Sequence, residues 1–328
     1  MSKKLIGPLM LLGTAILWGL AFVAQTTASN DIEPFTFNAS RNFIGVLFLS
    51  GVIAIRKRMG HDIAPTPNDN ARKRAKRASK AADGQTKQLG LYTTRTLMVG
   101  GAACGIVLCL ASFLQQSGIS AYPAGAAASG RSGFVTATYM VMVALYTVFA
   151  GKKSHPVVFV SVGIAIVGMY FLCVPNGIDN IYWGDVLVFG SAFGYAAHII
   201  VIDRFTMVDG VRLSRVQLLV AGGISFACAL LFEHPSITGI AAAIVPILYA
   251  GVLSDGVAYT LQIVAQKTTD PTVASIIMSL ESVFAALGGW IILSERLGLV
   301  ELFGCILVFA AVMLAQVPTF VENARKTK

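Results

Sequence analysis

Hydrophobic residues along this chain gather in long unbroken runs and do not recur at every second or every third to fourth position. "LIGPLMLLGTAILWGLAFVA" (5–24) and "LFGCILVFAAVMLA" (302–315) are two of them. Runs approaching 20 apolar residues are read as membrane-spanning helices. The pattern gives ten spans, at about 5–27, 35–55, 96–117, 124–150, 156–174, 184–202, 214–232, 239–265, 272–293 and 299–317. Backbone groups in lipid must be satisfied within each segment, and the strand alternation of a barrel is missing, so the expected fold is an all-α integral membrane bundle. The first run is too long for a signal-peptide core, lacks an A-x-A site and is followed by many similar runs, so it is read as the first span.

Composition agrees with lipid as the solvent. Hydrophobic residues make up 55% of the 328 and charged residues 12%, against roughly 25% charged in soluble proteins. Five cysteines, Cys104, Cys109, Cys173, Cys228 and Cys305, lie in or beside apolar runs with no CxxC spacing. They read as packing residues, with no disulfide framework, metal site or cofactor expected.

Basic residues orient the bundle. With the N-terminus in the cytoplasm, 22 of the 25 Lys and Arg fall on the cytoplasmic side, all but Arg41, Arg131 and Arg296. That matches the positive-inside rule. A multi-pass protein of the cell (inner) membrane with both termini cytoplasmic is expected. Residues 1–4 form the cytoplasmic N-terminus and 318–328 the tail. The connector 56–95, with "ARKRAKRASK", supplies most of the net charge of +9. It has no aromatic for base stacking before Tyr92, so it is read as a cytoplasmic loop against anionic lipid headgroups, with no nucleic acid as partner.

A weak repeat divides the chain. "GTAILWGLAFV" (13–23) lies over "GSAFGYAAHII" (190–200), placing Trp18 on Tyr195, and "LASFLQQ" (110–116) lies over "VAYTLQI" (257–263), placing Gln115 on Gln262. Five spans per half make the second half enter from the opposite side. Two inverted five-helix repeats, 5–174 and 184–317, are the mark of a secondary transporter with its site near the midplane.

The stretches "AILWGLAFVAQ", "PFTFNASRNF", "LASFLQQSGI", "GRSGFVTATYMVMV", "GDVLVFGSAFGYAAHIIVIDRF" and "YTLQIVAQKTTDPTVASIIMSLESVFAALGGWIILSERLG" cover nearly the whole chain. On them it resembles the EamA-type ten-helix permeases of the drug/metabolite transporter superfamily. The resemblance implies two EamA repeats, a central cavity open alternately to each side, and movement of small metabolites, amino acids or drugs, often outward. Ala144 and Ser282 stand where relatives often have proline, which removes the usual cause of a helix bend there.

Polar residues inside the spans mark the pathway. A charge at the bilayer centre costs about 2.5–3.5 kcal/mol on insertion scales and faces a cavity or a partner. Arg41, Arg131, Asp255 and Glu281 lie well inside spans. Helical spacing puts Thr14, Trp18 and Gln25 on one stripe, Asn38, Arg41 and Asn42 on another, and Ser112, Gln115 and Gln116 on a third. Ser191, Tyr195 and His198 form a fourth, and Asp255, Tyr259, Gln262 and Gln266 a fifth; Glu281 sits alone on a narrow face. The candidate cavity residues are Trp18, Gln25, Arg41, Gln115, Gln116, Arg131, Tyr139, Tyr195, His198, Asp255, Tyr259, Gln262 and Glu281. Phe134 joins Trp18, Tyr139 and Tyr259 as a candidate aromatic wall. Arg131, about 10 Å down the fourth span at 1.5 Å per residue, is expected to receive a substrate carboxylate or to pair with Glu281. Asp255, Glu281 and His198 are the candidate carriers of a coupling proton or cation.

Each residue also has a structural reading. Trp18 and Tyr195 suit core packing or interfacial anchoring, and the glutamines suit hydrogen-bonded glue between helices. The pairs Gly101/Gly105 and Gly190/Gly194 suit close packing within the bundle or dimerisation, leaving monomer and dimer both open. An enzyme is the rival class: "GRSG" (130–133) fits the GxSG pattern of rhomboid proteases, with His198 as a candidate base. A serine in mid-helix lacks the free N–H donors of an oxyanion hole, so the expected protein is a transporter and not an enzyme. A receptor or scaffold using the basic loop is the third reading.

Overall fold

The computed structural model describes residues 3–61, 92–151, 156–173, 182–296 and, within 298–314, all but 301, 305, 308, 312 and 313. Most of the basic loop, residues 62–91, and the C-terminal tail lie outside the described residues. The described chain is helical, without a β-sheet. Its helices are α1 (Lys3–Ala28), α2 (Pro34–Arg58), α3 (Thr94–Ser120), α4 (Ala128–Ala137), α5 (Tyr139–Phe149) and α6 (Pro156–Cys173). The second half has α7 (Trp183–Arg204), α8 (Gly210–Phe232), α9 (Ile237–Ala242), α10 (Ile244–Leu248), a π-helical segment (Tyr249–Ala258), α11 (Tyr259–Ala265), α12 (Pro271–Met278) and α13 (Glu281–Leu293).

Eight helical stretches are long and apolar enough to cross a membrane. Four are α1, α2, α7 and α8, and a fifth is α3. The others are composite: α4 with α5, α10 through α11, and α12 with α13. The expected fifth and tenth spans fall on α6 and on a shorter apolar helix, Leu302–Ala311. Eight spans, not ten, are thus established by length and composition among the described residues.

Polar side chains start several helices. Asp209 and Asp270 accept backbone N–H groups at the heads of α8 and α12, and Thr93 does so at α3. These caps fill donors that a helix cannot satisfy internally. At α2, Pro34 opens the first turn and Glu233 accepts from the N–H groups of Phe35 (2.6 Å) and Thr36 (2.7 Å).

Counted by the ten expected spans, the fourth is interrupted at Thr138 and the ninth at Ser279–Leu280, while α5 runs unbroken through Ala144 and α13 through Ser282. Hydroxyl groups accompany the breaks. Thr138 donates to the Val135 carbonyl at 2.7 Å, Ser279 to Ile276 at 2.7 Å and Ser282 to Ser279 at 2.7 Å. Such back-bonding competes with the helical ladder and bends helices.

The bundle buries polar side chains among apolar ones and turns large apolar side chains outward. Thr14, Asn38, Ser112, Ser191 and Gln217 have no exposed surface, whereas Leu47, Ile106, Phe149 and Leu231 face outward. Within it α3 packs on α7 and α8, α2 on α8 and on the π-helical segment, α1 on that segment and on α13, and α4 on α7 and α13. Lipid supplies little drive for such contacts, so close approach matters. A Cβ on Gly101 would lie 2.3 Å from Val216, one on Gly105 2.6 Å from the Gln217 carbonyl, and one on Gly194 2.7 Å from Ala111. The small-residue pairs read in the sequence therefore pack within the bundle.

Gly105→Ala is expected to lower stability by about 1–3 kcal/mol through overpacking, seen as a lower melting temperature of the purified protein. Gly51→Ala, where a Cβ meets nothing within 4 Å, is expected to be neutral or slightly stabilising.

Candidate functional site

Of the eight apolar helical stretches, all except α8 contribute a wall to the central cavity. From the first span come Trp18, Ala21, Phe22 and Gln25, and from the second Arg41. Gln115 comes from α3, Thr136 and Tyr139 from the interrupted fourth span, and Tyr195, His198 and Ile199 from α7. The eighth span gives Ser254, Tyr259 and Gln262, and the ninth gives Glu281.

Two charged groups reach this space. The Arg41 side chain is 4% exposed, and its Nε lies 3.7 Å from Oδ2 of Asp255, which is fully buried. No hydrogen bond closes that pair: among the described residues Arg41 Nε and both Asp255 oxygens have no hydrogen-bond partner. Glu281 begins α13 at the break in the ninth span, where the positive end of the helix favours a carboxylate. It lies beside the Tyr139 hydroxyl on the same cavity, and among the described residues its Oε1 forms no hydrogen bond of good geometry.

Neutral groups complete the walls. Tyr195 donates from its hydroxyl to Gln115 Oε1 at 2.9 Å, and Gln115 Nε2 donates to Thr136 at 3.0 Å. His198 Nε2 is 3.1 Å from Gln217 Oε1, joining α7 to α8. The Trp18 indole donates to the Ser254 carbonyl at 3.4 Å. Its ring meets Tyr259 edge-on at 4.9 Å, and His198 meets the same tyrosine at 5.5 Å.

Ten of the thirteen expected cavity residues therefore line one space, which leaves Gln116, Asp255 and Arg131 off its surface. Gln116 points sideways and donates to the Gln25 carbonyl at 3.1 Å. Asp255 does not continue the stripe of Tyr259 and Gln262. It lies in the π-helical segment, which ends at Ala258, and the altered helical period turns it behind Arg41. Phe134 packs into the apolar core and not onto the cavity.

Arg131 does not pair with Glu281. It forms a two-point ion pair with Asp185, Nε to Oδ1 at 2.7 Å and a second nitrogen to Oδ2 at 2.8 Å. Tyr122 donates to the same carboxylate at 2.8 Å, and the guanidinium lies 4.7 Å from the Tyr182 ring centre. The physical reason is position: Arg131 is in the first turn of α4 and Asp185 in the first turn of α7, so they meet at the rim, away from the mid-span Glu281. Nearby, Glu295 accepts from the hydroxyl of Ser129 and from the N–H groups of Ser129 and Gly130, capping α4. Asp185 and Glu295 were not among the expected site residues. An acid one turn inside the sixth span, at the depth of Arg131 from the same side, was the signal for the first.

The hydrolase constellation does not assemble. The Ser132 hydroxyl donates to the Ala128 carbonyl within its own helix, while His198 is engaged with Gln217.

The sequence profile of the EamA-like transporter family matches residues 5–69 and 182–316, more than half of the chain. An uncharacterized transporter of Archaeoglobus fulgidus is 27% identical over 95% of this chain and 86% of its own length. The uncharacterized transporter YoaV of Bacillus subtilis is 20% identical over 99% of this chain and 100% of its own. A crystal structure at 16% identity superposes with a TM-score of 0.69, covering 94% of this chain and 98% of the other, which is a likeness of fold.

The rim assignment has a direct check in melting temperatures. Arg131→Gln and Asp185→Asn are each expected to destabilise by roughly 1–3 kcal/mol, and the double variant by less than the sum, with a coupling of about 1 kcal/mol or more. Arg131→Gln combined with Glu281→Gln is expected to be additive; coupling there in place of Asp185 would contradict the geometry.

Proposed function

Because this chain belongs to the EamA-like transporter family, we propose that it moves a small organic molecule, a metabolite, an amino acid or a drug, out of the cell by alternating access. The ten spans form two inverted five-helix repeats in the cell membrane with both termini in the cytoplasm, and α6 and the Leu302–Ala311 helix are the outer spans of each half. The basic loop sits against anionic headgroups on that side.

One observation carries the reading. A guanidinium and a carboxylate, Arg41 and Glu281, border one cavity deep inside an apolar bundle, between walls drawn from both halves. The packing supports the repeats. The contact of α3 with α7 has its counterpart in that of the eighth span with α1, and α1 on the ninth span corresponds to α7 on the fourth.

Closures at both ends fit alternating access. At the non-cytoplasmic rim, the Arg131–Asp185 pair and the Glu295 cap draw the fourth, sixth and ninth spans together. At the cytoplasmic end, Thr147 of α5 and Thr272 of α12 share a hydrogen bond of 2.8 Å. Rocking of the halves breaks one set while the other holds.

Glu281 is the coupling group. Asp255 already has Arg41 as its counter-charge, and His198 is held in the Tyr259–Gln217 contact as a packing residue. Among the described residues no ion pair compensates Glu281, so a proton or a cationic part of the cargo neutralises it, at a site where an uncompensated charge is expensive.

An untargeted comparison of metabolites inside and outside cells, with and without the protein, is expected to show one chemical class depleted inside and enriched outside. No difference in either compartment would count against transport. In proteoliposomes an imposed pH gradient, acidic on the receiving side, is expected to accelerate export by the parent several-fold. Glu281→Gln is expected to abolish that response; an unchanged response in Glu281→Gln would remove the carboxylate from coupling.

A further inference from the structure

Two glutamines at matching places in the two halves are treated differently by their surroundings. Gln115 lies over Gln262 in the aligned segments 110–116 and 257–263, and Tyr195 lies over Trp18. Both amides line the cavity, and Gln262 is 1% exposed. Gln115 is satisfied at both amide atoms, by Tyr195 and Thr136. Gln262 is satisfied at neither: among the described residues its Nε2 and Oε1 both lack a hydrogen-bond partner.

The difference has a chemical cause. Tyr195 offers a hydroxyl that reaches its glutamine, whereas the residue in its place in the other half is Trp18, with a single donor and no acceptor. That donor goes to the Ser254 carbonyl. A buried amide left without partners is costly, and an apolar side chain of the same length would pack there without that cost.

Resting on the transporter reading above, we infer that the Gln262 carboxamide is the specificity-determining group of the site and pairs with the cargo through both amide atoms. The cargo then presents a donor and an acceptor side by side on one flat edge, as a carboxamide or a lactam does. Rings complete the fit. Trp18 and His198 both meet Tyr259 edge-on around the same cavity, giving apolar faces for a planar body carrying that edge. A site built to hydrogen-bond such an edge rejects an analogue that lacks the donor, because its own buried amide is again unpaired.

Binding to the purified full chain in lipid nanodiscs tests this with isosteric probe pairs: nicotinamide against 3-acetylpyridine, benzamide against acetophenone, and 2-piperidone against cyclohexanone. At least one amide is expected to bind about tenfold more tightly than its ketone partner. In Gln262→Met that preference is expected to fall to within about twofold, while the ligand-free variant melts at or above the parent temperature because an unpaired polar group has gone. Gln262→Glu, which keeps the acceptor and loses the amide donor, gives a second reading of the same preference. The inference is overturned by equal or absent binding of both members of every pair, by a preference that survives in both variants, or by a lower ligand-free melting temperature in Gln262→Met. Failure of the transporter reading shows separately, as no metabolite difference between cells with and without the parent protein; identical export by parent and Gln262→Met would sink the role of Gln262 alone.

Discussion

The interior of a bilayer offers no hydrogen bonds, and the arrangement of this bundle follows from that constraint. Polar side chains turn inward and tie neighbouring spans. Thr14 shares its hydroxyl between the Met10 and Ala258 carbonyls, Gln266 donates from α11's end to the Ile199 carbonyl, and His198 meets Gln217. Each link joins helices that apolar packing alone would let slide. The interruptions of the fourth and ninth spans obey the same rule, because hydroxyls of Thr138, Ser279 and Ser282 take up carbonyls beside the breaks. A break without such groups would expose backbone to lipid or to an empty seam.

Charge is placed by how much of its cost is offset. At the rim, Arg131 and Asp185 meet in a two-point geometry with a tyrosine hydroxyl added, which is the arrangement that best repays desolvation. Deeper, Arg41 and Asp255 approach only to 3.7 Å and leave hydrogen-bonding capacity unused. Glu281 is supported by the start of a helix and by no opposite charge among the described residues. The weaker the fixed compensation, the more a bound group has to contribute. Fixed compensation therefore falls from the rim pair to the buried pair to the lone acid.

The membrane class, most of the spans and the convergence of the polar stripes were all legible in the sequence, because long apolar runs and helical spacing are local properties. Trp18, Gln115, Tyr195, Gln262 and Glu281 reach one cavity as their spacing implies. Pairing was not legible, since which acid meets which base depends on how helices are rotated and at what depth each residue lies. Arg131 shows the point: the mid-span acid was the expected partner and the rim acid is the actual one. Asp255 shows another. A stripe drawn with the α-helical period passes through it, but the π-helical segment changes the period just before Tyr259 and moves it off the wall. Nothing in "YAGVLSDGVA" announces that change, beyond two glycines whose absent side chains let Arg41 and Phe48 approach.

A repeat with opposite orientations lets one end of a bundle do what the other has just done, which is why such a scaffold suits passage in two states. A small organic molecule, however, has no matching symmetry. If both halves presented identical groups, a bound molecule would find two equivalent poses and neither would be held firmly. The halves here differ where the cavity is lined: Tyr195 against Trp18, Gln115 with partners against Gln262 without, an arginine on the second span against none in the lining from the seventh. On the proposed transport reading, a backbone of two related halves serves the motion while the side chains break the symmetry for recognition.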